Sequence, residues 1–341
     1  MTTPNPADAG SGEVVAAASV APTATRSLPW GNGKRGRGDR LFHGLSEGSG
    51  VLIVVLIAAI GVFLLVRAIP ALARDKENFF TYGGNWVTTN TSAMHFGILD
   101  LLQVTVFAAL FALILAMPVA LGIAIFLAQY SPRRITGPLA YLVDLLAAVP
   151  SIIYGVWGLY VLAPRLRPIA TWLNEHLGWF FLFATGNASV SGGGTIFTAG
   201  IVLAVMILPI ITAVTREVFI KTPQSHIEAA LALGATRWEV VKTTVLPFGR
   251  SGYISGAVLG LGRALGETVA LLIILRGTQA AFGWSLFDGG YTFATKIAAT
   301  ASEFNNQYKA GAYIAAGLVL FLLTFVVNAM ARAAVAGKDT R

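Results

Sequence analysis

Six apolar runs, each near the ~20 residues needed to cross a bilayer core, divide this chain at about 50 to 72, 98 to 129, 139 to 164, 195 to 215, 252 to 276 and 311 to 331. They predict an all-α integral membrane protein with six transmembrane helices, the second run being long enough to tilt or protrude. Residues 1 to about 33 are rich in Ala, Ser, Thr, Pro and Gly without helical periodicity, and Lys34, Arg35, Arg37 and Arg40 follow as a basic run. This reads as a disordered cytosolic tail over residues 1–40 and a membrane domain over 41–341, which carries one long polar stretch at 216–250. The remaining long connections, 73 to 97, 165 to 194 and 277 to 310, are rich in aromatics. Their Trp86, Trp172, Trp179 and Trp284 suit anchoring at the lipid headgroups.

Composition strengthens this picture. Of 341 residues 55% are hydrophobic and only 12% charged, against about 25% charged in a soluble domain, and the mean hydropathy is +0.71. A net charge of +8 would suggest nucleic acid in a soluble protein. The placement of the 24 cations points elsewhere: with the amino terminus inside, fifteen fall on the cytosolic side, eight on the outer side when Arg67 and Arg276 at the outer ends of their runs are counted there, and Arg263 deep within a span. The positive-inside rule then puts both termini in the cytosol of a plasma (inner) membrane protein, and the basic run reads as a topology signal rather than a nucleic-acid site. Ala71-Leu72-Ala73 at the end of the first run imitates a signal-peptide cleavage site, but the ~50-residue lead is too long for one, and a retained helix is expected.

Several chemistries are excluded. With no cysteine, the chain has no disulfide, thiolate nucleophile, iron-sulfur cluster or cysteine-ligated zinc. His43, His95, His176 and His226 are scattered without metal-ligand spacing, and no nucleophile and base pair marks an intramembrane enzyme. We therefore expect no catalytic residue, no metal and no cofactor. No GxxxxGK[ST] sequence occurs, so any ATP hydrolysis belongs to another polypeptide.

The polar stretch contains TPQSHIEAALALGATRWEVVKTTVLP at 222 to 247. Thr222-Pro223 suits a helix start, with Ser225 and Glu228 as an alternative start through a capping box. Gly234 suits a left-handed termination, and Thr236 with Glu239 makes a second capping-box pattern before another short helix ending near Pro247. Physics alone leaves open a pair of amphipathic helices lying on the membrane surface. Glu228-Ala229-Ala230, Gly234 six residues after the glutamate, and Leu246-Pro247 resemble the EAA loop of ABC importer permeases, with Thr244 departing from that family's usual aliphatic residue. The resemblance implies the type I ABC importer permease architecture and makes this loop the coupling helix that docks on a cytosolic ATPase. Glu228 capping its own helix stays open beside it. An ATPase dock argues against a secondary transporter or channel.

The fifth run holds SGYISGAVLGLGRALGETVALLIIL at 251 to 275. Gly252, Gly256, Gly260 and Ala264 line one stripe and Gly262 with Gly266 another, as close helix packing in lipid requires. The GxGxxxG spacing with no βαβ unit around it does not make a dinucleotide loop. Arg263 and Glu267 lie well inside the run, Arg263 about 16 Å along the helix from its cytosolic end. A charge there cannot face lipid. In a continuous helix the two would share a face, and two readings stay open: a structural ion pair, or a guanidinium that binds a tetrahedral oxyanion while Glu267 moderates its grip. Asp144 is expected to snorkel to the cytosolic interface, and Pro118 and Pro150 to kink their helices.

LGLGRALGET at 259 to 268 and AVPSIIYGVWGLYVLAP at 148 to 164 resemble the PstC family of phosphate importer permeases, and the resemblance runs from about residue 40 to the end. It implies inorganic phosphate as the substrate, with a PstA-like second permease subunit, a PstB-like cytosolic ATPase and a PstS-like extracytoplasmic phosphate-binding protein as partners. Permeases for molybdate, sulfate or phosphonate are the near alternatives.

Overall fold

The computed structural model describes residues 37–90, 92–278 and 281–336. The tail, including Lys34 and Arg35, lies outside the described residues except for its last positions, which open the first helix. The described residues are helical throughout their regular elements. Two isolated bridges, Asp75 with Met94 and Val87 with His95, tie the 73–97 segment to itself.

The elements in order are α1 (Arg37–Leu72), α2 (Leu99–Ile125), α3 (Arg133–Ala148), α4 (Ser151–Trp157), α5 (Ala163–Leu177), α6 (Ile196–Ile220), α7 (Gln224–Ala232), α8 (Arg237–Val240), α9 (Leu246–Leu265), α10 (Val269–Ile274), α11 (Phe293–Thr300) and α12 (Gln307–Ala336). Widened, π-type turns extend α2 over Phe126–Tyr130, join α4 to α5 over Gly158–Leu162, and join α8 to α9 over Val241–Val245. The chain divides into two compact units between Leu56 and Ile57. The described part of the first is the start of α1, whose large apolar side chains are exposed, as lipid contact requires.

In the second unit α6 is the most enclosed helix. It lies between two stripes of small residues. On one side α2 presents Ala108, Ala112, Ala116, Ala120 and Ala124, all buried and four residues apart. On the other, α9 presents Gly252, Gly256, Gly260 and Ala264, all buried. A methyl group at Gly260 would come 2.9 Å from Ile211 Cγ1, and one at Gly252 would collide with Val218. With no hydrophobic driving force between helices in lipid, such backbone approach is what holds them together. The Gly262 and Gly266 stripe has no comparable partner: a methyl group at Gly262 would sit at ordinary distance from Asn328, and one at Gly266 would meet only the carbonyls of Gly262 and Arg263 in its own chain.

Four helical stretches are long and apolar enough to cross a membrane: Leu41–Leu72, Leu99–Tyr130, Val190–Ile220 and Gln307–Met330. The third predicted run, 139 to 164, is not one straight helix. Its two halves, Arg134–Ala148 and Ser151–Leu177, meet at 89°. Pro150 forces Val149 into extended backbone (φ −64°, ψ 130°), so the helix must stop there. The second half runs on to Leu177, which shortens the expected outer loop 165 to 194, and Asp144 lies exposed on α3. The fifth predicted run is interrupted too, at Gly266 to Thr268. Pro118, in contrast, lies inside an unbroken α2.

Candidate functional site

The loop between α6 and α9 is built from local signals. Pro223 is the N-cap of α7, with no side-chain cap, so neither Thr222 nor the Ser225 and Glu228 pair starts the helix; Thr222 is buried instead. The helix ends in a Schellman arrangement: the Ala235 amide donates to Ala230 O (3.1 Å), the Gly234 amide to Leu231 O (2.9 Å), and Gly234 takes φ +86°. Thr236 and Glu239 then form the expected capping box, the Thr236 amide donating to Glu239 Oε2 at 2.7 Å. That amide and the Thr236 hydroxyl hold the Glu239 carboxyl below its ordinary value. The following helix does not end at Pro247. Proline in the first turn of a helix loses no hydrogen bond, and α9 runs on from Leu246, which packs on Phe219, Val241 and Val245.

No residue of α7 is buried. Glu228 and Ala229 are exposed and Ala230 half-buried, and the Glu228 carboxylate has no partner among the described residues. Beside them Leu231, Leu233 and Trp238 are exposed, Leu233 to 90%.

The second constellation lies where the two broken runs meet. α4 packs on α10 through Gly155, where a methyl group would come 2.9 Å from Ala270 Cα, and Gly158, in the turn that follows, faces Val202 of α6 and Ile274 of α10. The Tyr154 hydroxyl donates to Leu146 O (2.8 Å), bridging the α3/α4 bend. Across from it, Glu267 is buried, and its Oε1 accepts the Ala270 amide at 3.0 Å, capping α10. Arg263 is exposed on the α9 face that carries Ser255 and Leu259, away from the glycine stripe.

Arg263 and Glu267 therefore do not pair: no ion pair joins them among the described residues. Their four-residue spacing puts them on one face only in a continuous helix, and α9 stops at Leu265, between them. Tyr154 was missed by sequence reasoning, its signal being a tyrosine four residues after a mid-run proline. Among the described residues no group of three or more acidic or histidine side chains is placed to hold a metal.

The family model for the inner membrane component of binding-protein-dependent transport systems matches residues 120–338, which include both constellations. The phosphate transport system permease protein PstC 2 of Mycobacterium tuberculosis is 59% identical over 302 residues, 89% of this chain and 93% of its own. PstC of Mycobacterium leprae is 60% identical over 89% of this chain and 94% of its own. PstC of Xylella fastidiosa (strain Temecula1) is 39% identical, covering 90% and 93%. An inward-facing structure of the MetNI methionine ABC transporter matches at a TM-score of 0.50 and 16% identity over 70% of this chain and 96% of the matched chain, a likeness of fold. A multi-pass helical chain alike nearly end to end to such relatives belongs to the binding-protein-dependent transport inner membrane family as a PstC-type ABC permease.

Proposed function

We propose that this chain is the permease subunit through which an ATP-driven importer moves inorganic phosphate into the cell. The observation that carries the substrate is its 59% identity, over 89% of its length, to a permease named for phosphate transport. In reconstituted complexes, radiolabelled phosphate should be taken up and unlabelled phosphate should compete, while sulfate and molybdate should not. Uptake suppressed by molybdate or sulfate at concentrations where phosphate has no effect would transfer the reading to that oxyanion.

Arg263 supports a place for the substrate path. It is exposed on this chain yet lies in the membrane interior, where an ionisable group costs about 2.5 to 3.5 kcal/mol on insertion scales if nothing covers it. A second permease subunit, PstA-like, covers that face together with the exposed apolar side of α4 and the turn after it, Ile152, Ile153, Val156 and Tyr160. The guanidinium then lies between subunits, where its fork replaces part of the hydration a phosphate loses. Glu267 caps α10 just beyond the α9/α10 break, and Arg263 lies on the last turn of α9 before it.

Coupling belongs to α7 and its Gly234 bend. Exposed leucines on a cytosolic loop suit docking onto the separate PstB-like ATPase, and Glu228, Ala229 and Ala230 lie on the same short helix. A PstS-like binding protein delivers phosphate from outside.

Six crossings with both termini cytosolic complete the reading: the four long helices, the continuous α4 to α5 stretch and the interrupted α9 to α10 run, with α3 lying near the inner surface. The fifteen-to-eight cation bias supports it. Because the chain has no cysteine, single cysteines at Asn90 and Ala301 report directly. Both should react with an impermeant maleimide added to intact cells. Reaction of either only after permeabilisation would overturn the topology.

A further inference from the structure

The segment between α10 and α11 carries the one described non-glycine residue with left-handed backbone, Trp284 at φ +63°. A bulky side chain there is an outlier that persists only where its surroundings impose it. The cause is Asp288. Its carboxylate is wholly buried, and one oxygen, Oδ2, accepts the amides on both flanks of the tryptophan, Gly283 at 2.9 Å and Ser285 at 3.0 Å. The other oxygen accepts the Asn187 amide at 2.8 Å, and the Asn187 side chain returns to the Gly289 amide at 2.7 Å. Ser285 adds a hydroxyl bond of 2.6 Å to Ala184 O. Two loops about a hundred residues apart are thus clasped into one platform.

Core packing does not explain the tryptophan. Its ring rests edge-on against Phe282 (5.4 Å) and Phe107 (6.2 Å) from below, yet Trp284 remains 49% exposed. A glycine would satisfy this backbone without strain. A polar recess of about 200 Å³, lined by Asp100, Asn187, Tyr291 and Lys296 among others, is also lined by Phe282, the ring on which Trp284 rests. The segment follows the carboxyl end of α10, at the opposite end of the α9 to α10 run from α7. Rigid, half-exposed aromatics supported from beneath are what protein interfaces use as anchors.

We propose that Trp284, held by Asp288, is the knob on which the extracytoplasmic binding protein registers, its indole entering an apolar notch on that protein's surface. This rests on the importer reading above, which places the α10 to α11 segment outside and makes a soluble binding protein the macromolecule that arrives there.

The test uses the complete importer in nanodiscs, with ATPase activity measured against increasing phosphate-loaded binding protein. Trp284→Asn is the informative variant, because asparagine tolerates left-handed backbone and keeps the loop while removing the indole. The half-saturating concentration of binding protein should rise about tenfold, the 1.4 kcal/mol step typical of losing an interface anchor, with the rate at saturation retained. An environment-sensitive fluorophore on Trp284→Cys should shift when binding protein is added and should not be quenched by brominated lipid. An unchanged half-saturating concentration, or quenching by lipid without a response to binding protein, would make Trp284 a membrane anchor and overturn the inference. If the unmodified importer itself fails to respond to binding protein, the importer reading fails, an outcome distinct from the loss of Trp284 alone.

Discussion

Replacing Arg263 with glutamine should lower phosphate uptake about a hundredfold while the importer still assembles. The argument begins with the cost of moving a phosphate dianion to the middle of a membrane. Its hydration must be replaced there, and a charge-assisted hydrogen bond contributes about 1.5 to 3 kcal/mol, or ten- to more than a hundredfold in rate. A glutamine side chain would keep hydrogen-bonding atoms and lose the charge and the fork. Arg263→Lys should fall between, since lysine keeps the charge without the planar pair of donors. Exchanging the two charges, Arg263→Glu with Glu267→Arg, should not rescue uptake. Glu267 caps α10 from a buried position, so an arginine there would lose the Ala270 amide bond and bury a cation. Uptake by proteoliposomes, beside a check that both permeases and the ATPase copurify, decides this. Normal uptake in Arg263→Gln would remove Arg263 from the path, and recovery in the exchange would restore the ion pair that the helix break argues against.

How much of this was legible in the sequence depends on how local each signal is. The loop between α6 and α9 was readable because a capping box and a glycine termination span only a few residues: Thr236, Glu239 and Gly234 do what their spacing predicts. Its outer limits were not, since Pro247 reads equally as a stop or a first turn, and the turn before it, Val241–Val245, lets the helix run on. Hydropathy reports that a run is apolar and is blind to direction, so the 89° bend at Val149 and Pro150 passed as a kink within one span. The Gly252, Gly256, Gly260 stripe was visible because glycine is distinctive, whereas the matching stripe from Ala108 to Ala124 was lost among other apolar residues. The pairing of Arg263 with Glu267 assumed an unbroken helix, and Gly266 between them ends it. The clasp of Asn187 on Asp288 joins positions a hundred residues apart, which no local pattern announces.

Gly234→Pro should uncouple the importer, and Leu233→Asp should detach its ATPase, two losses that separate the bend from the contact. Gly234 has φ +86°, and a side chain built there would meet nothing within 4 Å, so space is no obstacle and the backbone is. Left-handed backbone costs an ordinary residue roughly 1–2 kcal/mol. Proline cannot adopt it at all, its φ being locked near −65°, and it also removes the amide that donates to Leu231 O. The α7 to α8 angle must then change. Helices α6 and α9 depend on their own glycine and alanine contacts, so the membrane domain should insert and the ATPase still bind, but phosphate carried per ATP hydrolysed should fall at least about tenfold, a loss of 1.4 kcal/mol or more in coupling. Leu233 is 90% exposed and supports nothing within this chain. Leu233→Asp should leave this subunit's stability within about 0.5 kcal/mol, as surface substitutions do, and abolish copurification of the ATPase by placing a carboxylate in an apolar contact. Measuring transport, hydrolysis and copurification on the same preparations distinguishes the two. Normal coupling in Gly234→Pro would show that the bend transmits nothing, and a full complement of ATPase with Leu233→Asp would move the docking surface off α7.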